Sequence, residues 1–242
     1  MIAVLRASRD PMIGDPIFWI LAAPGLLLGL YAQSLIKGNY TKYSQVYTEN
    51  GATGAQVARW LLDSQGLQSV AIETTPGLLS DHYDPRHKVL RLSQEVYNTP
   101  SLAAAGIAAH ETGHALQDAV DYFPMEARSY IVPIVQLSSK FAPWLFFGGL
   151  VLNIDLIAWA GVILFAGQTI FTLITLPVEF DASRRARQLL ITHGVLRSEA
   201  QIDGITKVLK AASLTYVAGA VSAIGTLLYF ALLAFSRSRR PP

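Results

Sequence analysis

Residues 17–36, IFWILAAPGLLLGLYAQSLI, carry no acidic or basic side chain. A helix of about 20 residues crosses roughly 30 Å of hydrocarbon, and within a bilayer the backbone must satisfy its own hydrogen bonds. This stretch therefore confines the chain to a membrane-anchored or secreted form. Arg6 and Arg9 precede it, as they would in a secretory leader. A leader's apolar region is shorter, however, at about 7–15 residues, and no small-residue cleavage site follows this one. We read 17–36 as a first membrane-spanning helix.

The apolar character returns at 131–176, which is too long for one straight crossing, and the polar LNID at 152–155 divides it into spans at 131–152 and 154–176. Lys140, Pro133 and Pro143 fall in the first arm of this hairpin, where the charge must face protein, water or headgroups. A fourth span occupies 215–235, before a basic tail at 236–242 suited to a phosphate-rich membrane surface. Composition agrees: 52% of residues are hydrophobic and only 15% charged, apart from the range of soluble domains. A net charge of +2 leaves no basic face for nucleic acid. With no cysteine, any metal must be held by histidines and carboxylates.

Residues 37–130 are polar enough to form a small α+β region. GATGAQVARWLLDSQGL spaces Val57, Leu61 and Leu62 along a helical face and stops at Gly66. SVAIET and HKVLRLS read as strands separated by the turn formers of PGLLSDHYDPR. Thr99 and Pro100 supply a cap and a first-turn proline for a helix over 100–119.

That helix carries AAHETGHALQ. Histidines four residues apart lie on one helical face, so His110 and His114 can share one zinc ion. Glu111, beside them, is placed to act as general base on water that zinc acidifies. Random placement of the 5 histidines and seven glutamates would give about 0.003 such motifs in a chain of this length, so coincidence explains it poorly. A catalytic zinc takes three protein ligands. The span hairpin returns the chain to the membrane face it left, and Glu179 in LPVEFDASRRA emerges there, so Glu179 is the expected third ligand. Glu126, Asp181 and His193 are rivals on the same side, and Asp155, in the hairpin turn, is a more distant alternative. His82 and His87, like His193, suit surface or structural roles.

TGAQVARWLL, LSDHYDPRHKVLRLS, EVYNTPSLAAAGIAAHETGHALQ, TLPVEFDASRRA and KVLKAASLTYVA together resemble the recurring stretches of the YugP-like neutral zinc metallopeptidases of bacterial membranes. The resemblance covers nearly the whole chain. It implies a multi-pass membrane zinc peptidase with His110 and His114 as ligands and Glu111 as catalytic acid/base. More distantly the plan is similar to the membrane gluzincins, whose third ligand is a glutamate on a later helix, in keeping with Glu179. Those relatives steady the site with an aspartate four residues after that glutamate, where this chain has Ser183, with Asp181 two residues earlier. Asp118, one turn beyond His114, is a substitute for that role or a solvated residue.

Peptide hydrolysis also needs a donor for the developing oxyanion, and Tyr216 is a candidate, although a tyrosine at a membrane interface has a commoner explanation. HKVLRLS is either a strand within a sheet or an open edge for an extended substrate. The expected fold is a mainly α membrane protein with four spans and a zincin-like α+β domain at one membrane face. The termini's face carries Arg6, Arg9, Arg237, Arg239 and Arg240 near the spans, against eight Lys and Arg on the catalytic face, which leans the site towards the cytoplasm. The expected function is a zinc endopeptidase, with one zinc ion, acting on peptides or membrane proteins at the lipid bilayer. The competing reading is a membrane scaffold with a structural zinc.

Overall fold

The computed structural model describes residues 14–238. Arg6, Arg9, Arg239 and Arg240, which entered the orientation argument, lie outside them. The described chain forms helix α1 (Pro16–Tyr43), α2 (Gly54–Ser64), strands β1 (Ala71–Thr75), β2 (His82–Asp84) and β3 (Val89–Ser93), then α3 (Gln94–Asn98), α4 (Leu102–Ala119), α5 (Phe123–Leu152), α6 (Asp155–Thr192) and α7 (Glu199–Ser238). Four of these, α1, α5, α6 and α7, are long and apolar enough to cross a membrane. The protein is a mainly α membrane protein with a small α+β part.

Two compact units divide the chain. The first takes residues up to 30, 129–173 and those from 217 onward. Its core is aromatic: Phe146 and Phe230 stack with ring centroids 4.1 Å apart, among Val162 and Tyr229. Lipid supplies no hydrophobic drive between helices, so close backbone approach must hold them together. Gly161 permits that approach, since a Cβ there would lie 2.5 Å from the backbone nitrogen of Phe146. The turn between α5 and α6 places Asn153 at φ +58°, a left-handed conformation that asparagine tolerates. Outward faces carry exposed Leu27, Trp144 and Ile163, surface that a bilayer covers. Lys140 is also exposed.

The second unit takes residues 31–128 and 174–216. The three strands lie in the order β1-β3-β2, with β1 parallel and β2 antiparallel to β3. β3 is thus central and engaged on both sides, which removes the open edge proposed for HKVLRLS. Strand β2 lies in the stretch read as turn formers; pairing with β3 through Tyr83 and Leu90 overrides local propensity there. Thr53 opens α2 with a capping box to Gln56. Thr99 does not open α4: it closes the short α3, and Ser101 caps α4 instead, its hydroxyl accepting from the amide of Ala104 at 3.2 Å.

Helix α4 is buried on two sides. Ala105 and Ala109 pack with Val57 and Leu61 of α2, Ala186 and Leu190 of α6, and Ile205 of α7. Ala104, Ala108 and Ala115 pack with Leu90 and Leu92 of the sheet. Helix α6 does not end with the apolar span at 176 but runs on unbroken through Pro177. One proline removes one helical hydrogen bond, and well-packed membrane helices accommodate that loss.

Candidate metal centre

Each histidine of the motif projects from the same face of α4, and α6 comes against that face at an unusually short separation. Gly113 makes this approach feasible, because a Cβ there would stand 2.6 Å from the carbonyl oxygen of Ala182. Glu179 sits one turn before Ala182 on α6 and thereby reaches the imidazoles. His110 Nε2 lies 3.3 Å and His114 Nε2 3.6 Å from Glu179 Oε2. One ligating atom from each of the three residues lies within 4.8 Å of the others. Zinc bonds of about 2.0–2.2 Å in a tetrahedron place adjacent donor atoms about 3.3–3.6 Å apart, so the two imidazole-to-carboxylate distances fit a shared cation.

The surroundings hold the donors in a metal-ready form. Gln117, fully buried, donates from its amide nitrogen to the Val178 carbonyl at 2.8 Å and to Asp181 Oδ2 at 3.0 Å. Both partners are acceptors, so the amide orientation is determined and Gln117 Oε1 must face His114 Nδ1, 2.9 Å away. That oxygen accepts from Nδ1–H, which turns Nε2 towards Glu179. The hydroxyl of Ser183 lies 3.2 Å from His110 Nδ1 and 3.3 Å from the hydroxyl of Ser213. Ser183, at the place where the resemblance leads one to expect an aspartate, thus meets the His110 ring. The Arg128 guanidinium donates to Glu179 Oε1 at 3.0 Å, leaving Oε2 to the histidines. Asp181 is further held by Arg184 and Arg185.

Charge balance favours a cation at this point. Burial favours the neutral form of His114, but the neighbouring Glu179 and Glu111 carboxylates outweigh burial, so its pKa is raised. Glu179 is 1%, Glu111 7% and His114 8% exposed, so the two carboxylates are screened little by water.

His110, His114 and Glu179 are the three sequence-expected ligands, and the structure brings them together. Glu111 and Tyr216 line one cavity with His110. Of the rivals, Asp181 meets the centre only through Gln117, and the others lie elsewhere. Glu126 is exposed, Asp155 lies in the first turn of α6, and His193 contacts Ser64 at 3.1 Å and the Trp60 ring. Asp118 is not beside a ligand histidine: it accepts from Tyr83 at 2.7 Å and pairs with Lys88. Sequence reasoning missed Gln117 and Arg128. Gln117 was findable as the polar residue one turn past His114, but nothing local distinguishes Arg128 from other interfacial arginines.

The family model described as "Putative neutral zinc metallopeptidase" matches residues 18–235. The chain belongs to this zinc metallopeptidase family. It is 45% identical over 217 residues to "Putative membrane protease YugP" of Bacillus subtilis (strain 168), covering 90% of this chain and 95% of that protein. No solved structure gives a significant match. For a zinc metallopeptidase, the donor set of two imidazoles and one carboxylate suits the metal, and it leaves a position for water. Gln117→Leu is expected to keep the volume of the buried side chain while freeing His114 to rotate. Its zinc affinity, measured by chelator competition, should fall about 10- to 100-fold, the usual cost of losing an outer hydrogen-bond partner.

Proposed function

We propose that this protein is an integral-membrane zinc endopeptidase that hydrolyses peptide bonds in peptides or membrane proteins near the bilayer surface. The observation that carries this reading is the convergence of His110, His114 and Glu179 beside a cavity lined by Glu111 and Tyr216. His110, His114 and Glu179 would hold the metal. Zinc, when bound, supplies Lewis acidity that acidifies water and polarises a carbonyl.

The chain's own residues supply the remaining steps. Glu111 follows His110 on α4 and faces the same cavity, so its carboxylate takes the proton of the attacking water and passes it to the departing amine. Tyr216 lines that cavity from α7 and is 37% exposed, and its hydroxyl donates to the oxygen on which negative charge develops. Arg128 and Gln117 act at one remove, fixing Glu179 and His114. The cytoplasmic orientation belongs to the same proposal. Three of the eight basic residues behind it, Arg128, Arg184 and Arg185, also serve Glu179 and Asp181.

Purified protein incubated with casein or a peptide library tests the reading. Cleavage should stop when a chelator strips the metal and resume when zinc is restored. Zinc retention with no cleavage of any substrate would favour the scaffold instead.

A further inference from the structure

The cavity beside the metal centre has a volume of about 200 Å³ and belongs wholly to the second unit. One end is the proposed chemistry, His110, Glu111 and Tyr216. Its walls are aliphatic: Ile36 comes from α1, Ile107 from α4, Val208, Leu209 and Ala212 from α7, and Leu79 from the loop before β2. The spacing is systematic. Ile107 precedes His110 and Glu111 by one helical turn, and Val208, Ala212 and Tyr216 follow one another at intervals of four on α7, so each stripe runs from the chemistry into the apolar interior.

Two further polar residues, Asp81 and Tyr40, border the cavity. Asp81 accepts from the Ser93 amide at 2.7 Å and from its hydroxyl at 3.1 and 3.2 Å. Tyr40 stands near the Glu95 carboxylate. Burial pushes the Asp81 carboxyl up, a sign that this wall disfavours charge. An acidic side chain entering here would lose its hydration and meet the Asp81 and Glu111 carboxylates, and a basic one would lose its hydration among aliphatic walls with only the Glu111 carboxylate, committed to the chemistry, at the far end, whereas an apolar side chain would shed only unfavourable hydration.

Resting on the endopeptidase reading, we propose that this cavity is the specificity pocket of the enzyme. It takes the side chain of a large apolar residue, leucine or phenylalanine in class, at a position flanking the scissile bond. Ala212 and Ile107 set its depth. Ala212 faces the cavity with the smallest side chain among the apolar residues of its wall, so enlarging it occupies the space that a substrate would fill.

The test uses full-length, zinc-loaded protein in detergent and a peptide series differing only at the residues flanking the cleaved bond. Wild type should prefer leucine or phenylalanine over alanine, serine, aspartate and lysine by on the order of 10- to 100-fold in kcat/KM. Ala212→Phe should shift the preference towards alanine and glycine, and Ile107→Ala towards tryptophan. Zinc content and a thermal melt identify a variant that has failed to fold, in which case the other variant decides. Cleavage by wild type with no apolar preference, or preferences unmoved in a folded variant, overturns the pocket while leaving the endopeptidase standing. No cleavage of any peptide by zinc-loaded wild type defeats both.

Discussion

Glu111→Gln is expected to lower peptide hydrolysis by about 10²- to 10⁴-fold, the usual contribution of a positioned general base, while zinc stays bound. Glutamine keeps the length and shape of the side chain at a position only 7% exposed, so α4 should pack as before. Its amide cannot take a proton from water. Glu111 is not among the three donors, so the metal keeps its ligands. Initial rates on casein, normalised to zinc measured in the same preparation, check both halves. Equal rates for the two proteins would remove Glu111 from the mechanism.

Removing the third donor should act the other way, on the metal first and on activity as a consequence. In Glu179→Ala the two histidines keep their places on α4, but the carboxylate whose Oε2 lies 3.3 and 3.6 Å from them is gone. Two imidazoles alone form an incomplete zinc site. The loss in affinity should exceed the roughly 100-fold that removal of an outer partner can cost. Arg128 loses its acceptor as well, but its side chain is 31% exposed and can turn to water. The fold should survive, and a thermal melt alongside the zinc titration separates metal loss from unfolding. Full zinc occupancy in the variant would take Glu179 out of the site.

The central part of the site was legible because its geometry is local or set by the bilayer. His110 and His114 need only the helical repeat. Glu179 needs only that a hairpin of spans returns the chain to its starting face, a constraint imposed by hydrocarbon thickness. The supporting roles were less legible: spacing could single out Gln117, but what it does depends on side chains that meet across long stretches of chain. Gln117 matters through Asp181 and the Val178 carbonyl, more than sixty residues away. Asp118 was a reasonable surrogate by spacing, yet Tyr83 and Lys88 draw it to the sheet side of α4.

Element boundaries failed for a related reason. Hydropathy marks where hydrocarbon ends, whereas a helix ends where its backbone hydrogen bonds do, so α6 continues past Pro177 to Thr192. That continuity keeps Glu179 on the same helix as Ala182, where Gly113 permits the close approach to α4. Strand β2 was hidden for another reason, since its three residues gain their conformation from β3 and not from their own propensity.

Anomalous scattering at the zinc edge from crystals of the zinc-loaded protein tests the central claim most directly. One peak is expected between His110 Nε2, His114 Nε2 and a Glu179 carboxylate oxygen, at about 2.0–2.2 Å from each. A peak coordinated by other side chains, or density showing Glu179 turned away from a metal held by the two histidines, would contradict it.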